Sequence, residues 1–140
     1  MSHQLEKVCA FYADFSYAGL SQLPEIYTQD CIFRDPVQEV IGLDNLTRYF
    51  ERMSASLNYC RFVFHSRIQQ EDLAFLGWTM RYSHPRLKKG ADLMLNGVTE
   101  LRFTDEKVQS HYDHYDLGAM LYEHLPVMGS LIKLVKSKVA

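Results

Sequence analysis

The densest run of residues able to exchange protons lies near the end of the chain, in Ser110-His111-Tyr112-Asp113-His114-Tyr115-Asp116. Aromatic and alternating residues on either side predict a strand, in which successive side chains point to opposite faces. His111, Asp113 and Tyr115 therefore share one face, and His114 and Asp116 point away. The same residues could equally form a polar ladder across a sheet or a contact between subunits. Because His111 and His114 face opposite ways, they cannot act together as the helical i, i+4 ligand pairs of a metal site do, and no metal is expected. Trp78, Met80 and Tyr82 alternate along another expected strand, where they would fill a core or line a cavity. The chain has no Gly-rich phosphate loop and no Ser or Cys nucleophile motif.

The elements that must position these groups follow from periodicity. Leu5, Val8, Cys9, Tyr12 and Phe15 recur at helical spacing behind Ser2, a suitable cap, with Gly19 expected to close the helix. A short second helix is predicted to about Gln29. Cys31-Ile32-Phe33-Arg34 reads as extended, and Pro36 pushes Asp35 toward β geometry as well. Leu46, Tyr49, Phe50, Met53 and Leu57 restore the helical period after Gly42 and Asp44. Four antiparallel strands are then predicted over Tyr59 to Ile68, Leu73 to Tyr82, Leu93 to Phe103 and Val108 to Tyr115. Their breaks carry turn chemistry at Glu71-Asp72, from His84-Pro85 to Lys89-Gly90, and at Asp105-Glu106. A last helix is expected over Leu121 to Val139, giving the order ααβαββββα. Helices ahead of a run of long strands imply an α+β fold, with helices packed on one face of a bent sheet.

The chain has 140 residues, of which 47% are hydrophobic, 13% aromatic and 23% charged. That is enough for a single domain spanning 1–140 with one core. A formal net charge of -2 supplies no basic field to hold a phosphate backbone, so nucleic acid is not an expected partner. No stretch of about 18 uncharged apolar residues is present. Lys133, Lys136 and Lys138 near the end of the last helix suit its dipole, which accounts for them without a membrane. Cys9, Cys31 and Cys60 are odd in number and widely spaced, which argues against a disulfide framework and for a reducing, cytoplasmic setting.

The segment Ile26-Tyr27-Thr28-Gln29-Asp30-Cys31-Ile32-Phe33-Arg34-Asp35-Pro36, followed by Gly42-Leu43-Asp44-Asn45-Leu46 and Tyr49-Phe50, resembles nuclear transport factor 2-like proteins. These include ketosteroid isomerases, scytalone dehydratase and the SnoaL-like polyketide cyclases. The resemblance implies a cone: a strongly bent antiparallel or mixed sheet with three helices from the N-terminal half on its concave face, and a C-terminal helix. It implies an apolar pocket lined by Phe11, Tyr12, Phe33, Phe50, Trp78, Thr99, Leu101 and Tyr115. Asp35 matches the carboxylate that shuttles the proton in the isomerases, and a carboxylate beside apolar surface is a strengthened base toward a carbon acid. The same Asp-Pro pair commonly begins a turn, where Asp35 would brace backbone. His111 and Asp113 on the pocket face would form a proton-transfer dyad. The two oxyanion donors of the isomerases match Phe11, which cannot donate, and Thr99, a weak donor, which disfavours steroid isomerisation of that type. The resemblance thus implies cofactor-free isomerisation, cyclisation or dehydration of a small apolar carbonyl compound. The alternative is a noncatalytic binding module, with a homodimer formed through the outer face of the sheet in either case.

Overall fold

The computed structural model describes residues 2–118 and 134–139. Helix α1 (His3–Ala13) begins where the Ser2 hydroxyl accepts the Leu5 amide at 3.2 Å. It buries Leu5, Val8, Cys9, Phe11 and Tyr12 on one face. A 3₁₀ turn, Ala18–Gln22, leads into the short helix α2 (Leu23–Ile26), and strand β1 (Tyr27–Arg34) follows at once. A tight turn at Asp35 returns the chain as β2 (Glu39–Ile41). Gly42, at φ 90°, then makes the corner into helix α3 (Leu43–Ser56), a backbone conformation that glycine adopts without the clash a Cβ would bring. Strands β3 (Tyr59–Gln70), β4 (Leu73–Ser83), β5 (Leu93–Thr104) and β6 (Lys107–Tyr115) complete the sheet.

The six strands form one curved sheet in the order β2-β1-β6-β5-β4-β3. All neighbouring pairs are antiparallel except β1 and β6, which run parallel with Phe33 beside His111. Register shifts between Phe64 and Ser66 on β3, and between Arg102 and Phe103 on β5, are of the kind that bends a sheet. The helices cover the concave face, where Leu76 and Trp78 of β4 and Leu101 of β5 are buried with Leu46 and Phe50 of α3. The opposite face leaves Val63, Ile68, Phe75, Met94 and Val98 exposed. This is the α+β cone expected from the sequence.

Two helix ends and one added strand depart from the sequence reading, and the long strands run a residue or two beyond it. Helix α1 stops at Ala13 rather than near Gly19, because Phe15 leaves it to make an antiparallel bridge with Cys60. The second helix ends at Ile26, not Gln29, because strand β1 already begins at Tyr27, which pairs with Val108 of β6 ahead of a register shift that runs to Ile32. Strand β2 is additional; three residues held by pairing Val40 to Phe33 carry no period of their own. Of the predicted final helix, residues 134–139 are helical, and the rest of that prediction lies outside the described residues. Among the described residues no helix is long and apolar enough to cross a membrane.

Candidate functional site

A cavity of about 310 Å³ lies between the concave face and the helices. Its walls are mainly aromatic and aliphatic, with Phe33 from β1, Phe50 and Met53 from α3, Phe62 from β3 and Trp78 and Met80 from β4. Among the described residues its polar groups include Asp35 and Tyr49, Asp113 and Tyr115 from β6, His84 from the turn after β4, and the hydroxyl-bearing Tyr12, Ser56 and Tyr82. A cavity of this size and character is suited to a small apolar molecule oriented by a few polar contacts.

Asp113 reaches the cavity at the end of a chain of hydrogen bonds whose directions can be worked out from chemistry alone. The indole N–H of Trp78 can only donate, so the Thr99 hydroxyl accepts it at 2.8 Å and spends its own proton on Asp113 Oδ1 at 2.5 Å. His111 Nε2 lies 2.8 Å from the same Oδ1, and toward a carboxylate it must be the donor. In the neutral imidazole with its proton on Nε2, His111 Nδ1 is the acceptor and takes the Tyr27 hydroxyl at 2.9 Å. With its proton committed, Tyr27 accepts from Tyr12 at 2.6 Å. Burial pushes both phenols well above their ordinary range, so they stay protonated and able to donate.

These donors converge on one oxygen of Asp113 and leave the other without a hydrogen bond among the described residues. No fully buried side-chain oxygen or nitrogen among the described residues is unpartnered, so this Oδ2 keeps accessible surface, on a residue that lines the cavity. The Tyr115 hydroxyl, two residues along the same strand face, meets the same two conditions. Burial pushes its phenol up, and the nearby charges of Asp35 and Asp113 add to the effect, so it remains a hydrogen-bond donor.

Asp35 is held differently. The turn after β1 folds back so that Oδ1 accepts the Val37 and Gln38 amides at 2.8 and 3.0 Å, while the Asp35 amide donates to the Gln38 carbonyl. Oδ2 accepts the Tyr49 hydroxyl at 2.8 Å. The turn-bracing role is thus present in full, at a residue that also lines the cavity.

Of the residues expected to line the pocket, Tyr12, Phe33, Phe50, Trp78 and Tyr115 do so. Phe11 and Leu101 do not: Phe11 packs edge-on against Tyr12 and Phe15, and Leu101 is fully buried in the core. Thr99 and His111 also lie behind the main cavity wall, on a void of about 10 Å³ shared with Asp113 and Tyr12. Alternation gives the face on which a strand residue stands but not its depth beneath that face. His114 is exposed, stacked on Tyr112 on the outer face at 4.0 Å, so it stands on the side away from His111. Sequence reasoning missed Tyr49, although its helical phase with Phe50 and Met53 marks the cavity side of α3. It also missed Tyr27, for which periodicity carries no signal because the contact to His111 spans 84 residues. Cys60 lines the cavity, but burial pushes its thiol up to about 12, which keeps it from serving as a thiolate nucleophile near neutrality.

The model of the SnoaL-like domain family matches residues 8–111. No curated protein matches the sequence. Among solved structures, an NTF2-like protein of unknown function from Burkholderia pseudomallei is 18% identical, with a TM-score of 0.74 over 86% of this chain and 96% of that one. A candidate SnoaL-like polyketide cyclase from Shewanella putrefaciens is also 18% identical, with a TM-score of 0.73 over 86% and 94%. An epoxide hydrolase from M. tuberculosis, described as LEH-like, is 11% identical, with a TM-score of 0.70 over 94% and 93%. At these identities the likeness is one of fold.

Proposed function

Because the chain belongs to the SnoaL-like domain family, we propose that it binds a small apolar carbonyl compound and moves a proton at the carbon beside the carbonyl, without a cofactor. Such a step is common to isomerisation, cyclisation and dehydration. The observation that carries this reading is Asp113, with one oxygen pinned by two donors and the other accessible, on a residue that lines an apolar cavity. A carboxylate so placed is a general base that costs no reorganisation when substrate arrives. Oδ2 takes the proton, the C–H electron pair moves into the carbonyl, and the oxyanion that develops is met by the Tyr115 hydroxyl. Asp113 then returns the proton to the carbon framework. The donors lost at Phe11 and Thr99 relative to the isomerases are replaced from another strand in this scheme. Among the described residues the lining contains Asp35 and Asp113 but no Lys or Arg, so a neutral compound is favoured over a carboxylate.

Exchange of α-protons for deuterium, followed by NMR with a panel of aryl ketones and β-diketones, tests the reading without knowledge of the natural substrate. Asp113→Asn is expected to slow exchange by about 10²- to 10⁴-fold, the usual worth of a general base, while ketone affinity stays close to wild type. Wild-type exchange no faster than buffer would leave a noncatalytic ligand-binding module, which the same cavity supports. For assembly we propose a homodimer through the outer sheet face, on the strength of its exposed Val63, Ile68, Phe75, Met94 and Val98.

A further inference from the structure

Tyr27 is only 1% exposed and contributes nothing to the cavity wall, yet its hydroxyl is the partner of the buried His111 Nδ1. We propose that Tyr27, itself oriented by Tyr12, is a positioning residue that acts on Asp113 through His111; the inference rests on Asp113 being the base.

The case is geometric. The His111 ring is gripped at both nitrogens, by Tyr27 on Nδ1 and by Asp113 on Nε2, so it cannot rotate about its long axis without breaking two hydrogen bonds in a site without water-exposed substitutes. Phe33 packs against the ring with centroids 4.5 Å apart and planes tilted by 37°, and Tyr12 flanks it at 5.7 Å, which restrains its plane. With the ring fixed, the Nε2 proton and the Thr99 hydroxyl approach Oδ1 from two directions and determine which way the carboxylate turns. Oδ2 is thereby aimed into the cavity. The parallel pairing of β1 with β6 sets Tyr27 beside Val108, ahead of the register shift, and from there its hydroxyl reaches His111 Nδ1. Without the Tyr27 hydroxyl, Nδ1 is a buried acceptor with no donor, and the ring gains a reason to turn.

Tyr27→Phe keeps the ring and its packing and removes only the hydroxyl. It is expected to lower the ketone exchange rate at saturation by about 10- to 100-fold, the scale of a slightly misplaced reacting group, with ketone Kd within about twofold of wild type because no cavity atom changes. In ¹⁵N NMR the His111 Nδ1 resonance should move toward that of a nitrogen with a free lone pair. In a His111→Asn background, Tyr27→Phe should cost almost nothing more, since the path it acts through is gone. The proposal is overturned if the Nδ1 resonance stays put in Tyr27→Phe, or if the substitution slows exchange equally with and without His111. Loss of the base reading looks different: Asp113→Asn would then exchange as fast as wild type, while the Nδ1 signal would still report on the Tyr27 contact.

Discussion

Among the described residues two carboxylates line the cavity, and they differ in what their oxygens have left to offer. Asp35 has given Oδ1 to two backbone amides and Oδ2 to Tyr49. Asp113 has given Oδ1 to His111 and Thr99 and nothing, among the described residues, from Oδ2. Asp35→Ala is therefore expected to act first on folding, since it strands two amides and a partly buried phenol; a loss of about 1–3 kcal/mol in urea unfolding is the scale of such unmet groups. Asp35→Asn retains an acceptor oxygen for the turn and should recover much of that loss. If instead Asp35→Asn unfolds like wild type but abolishes proton exchange, the base is Asp35, where the resemblance to the isomerases had put it. At this scale the sequence was informative about kind and face: strand parity grouped His111, Asp113 and Tyr115 correctly. It was silent on which oxygen of which carboxylate is free, because that depends on Trp78, Thr99 and Tyr27, which come from three other strands.

At the scale of elements, the sheet interior depends on a close fit between β4 and β5. Gly97 lies directly opposite Trp78 in the antiparallel register. A Cβ there would fall inside the van der Waals envelope of the indole and 2.9 Å from the His114 carbonyl oxygen. The absent side chain lets the Trp78 ring lie over β5, where its N–H reaches Thr99. Gly97→Ala should displace the ring, with a cost of about 1–3 kcal/mol typical of overpacking, a shift in tryptophan fluorescence and a weaker Thr99 contact to Asp113. An unchanged emission spectrum and unchanged stability would show that the strands can part to admit the methyl group. The four long strands were legible because aromatic and β-branched residues alternate between a dry face and a wet one, and α3 because Gly42 precedes a clear apolar stripe. What escaped was short or nonlocal: β2 has three residues, too few for any period, and the start of β1 is set by the pairing of Tyr27 with Val108, 81 residues away, which leaves no local pattern.

For the whole molecule, the fold presents two apolar surfaces, one inside and one outside. The inner one is enclosed by α1, α2 and α3. The outer one crosses three strands, with Ile68 beside Phe75 and Val98 beside Gly77, where the missing side chain leaves a shallow dip. Contiguous apolar surface of this kind is rarely left to water. A second copy covering it should give a dimer in sedimentation at micromolar concentration, and Phe75→Lys should shift the species to monomer without altering the far-ultraviolet dichroism. A wild-type protein that sediments as monomer at all accessible concentrations would remove the homodimer from consideration.

The inner void has a mechanical meaning as well. A cavity of about 310 Å³ is volume that the folded chain holds and the unfolded chain does not, so compression favours unfolding. A molecule that fills the cavity stabilises the folded state by mass action and at the same time removes the volume that pressure exploits. The degree to which a compound raises the unfolding pressure thus measures how completely it occupies the space beneath Trp78 and Phe50, independently of whether Asp113 finds a proton to take.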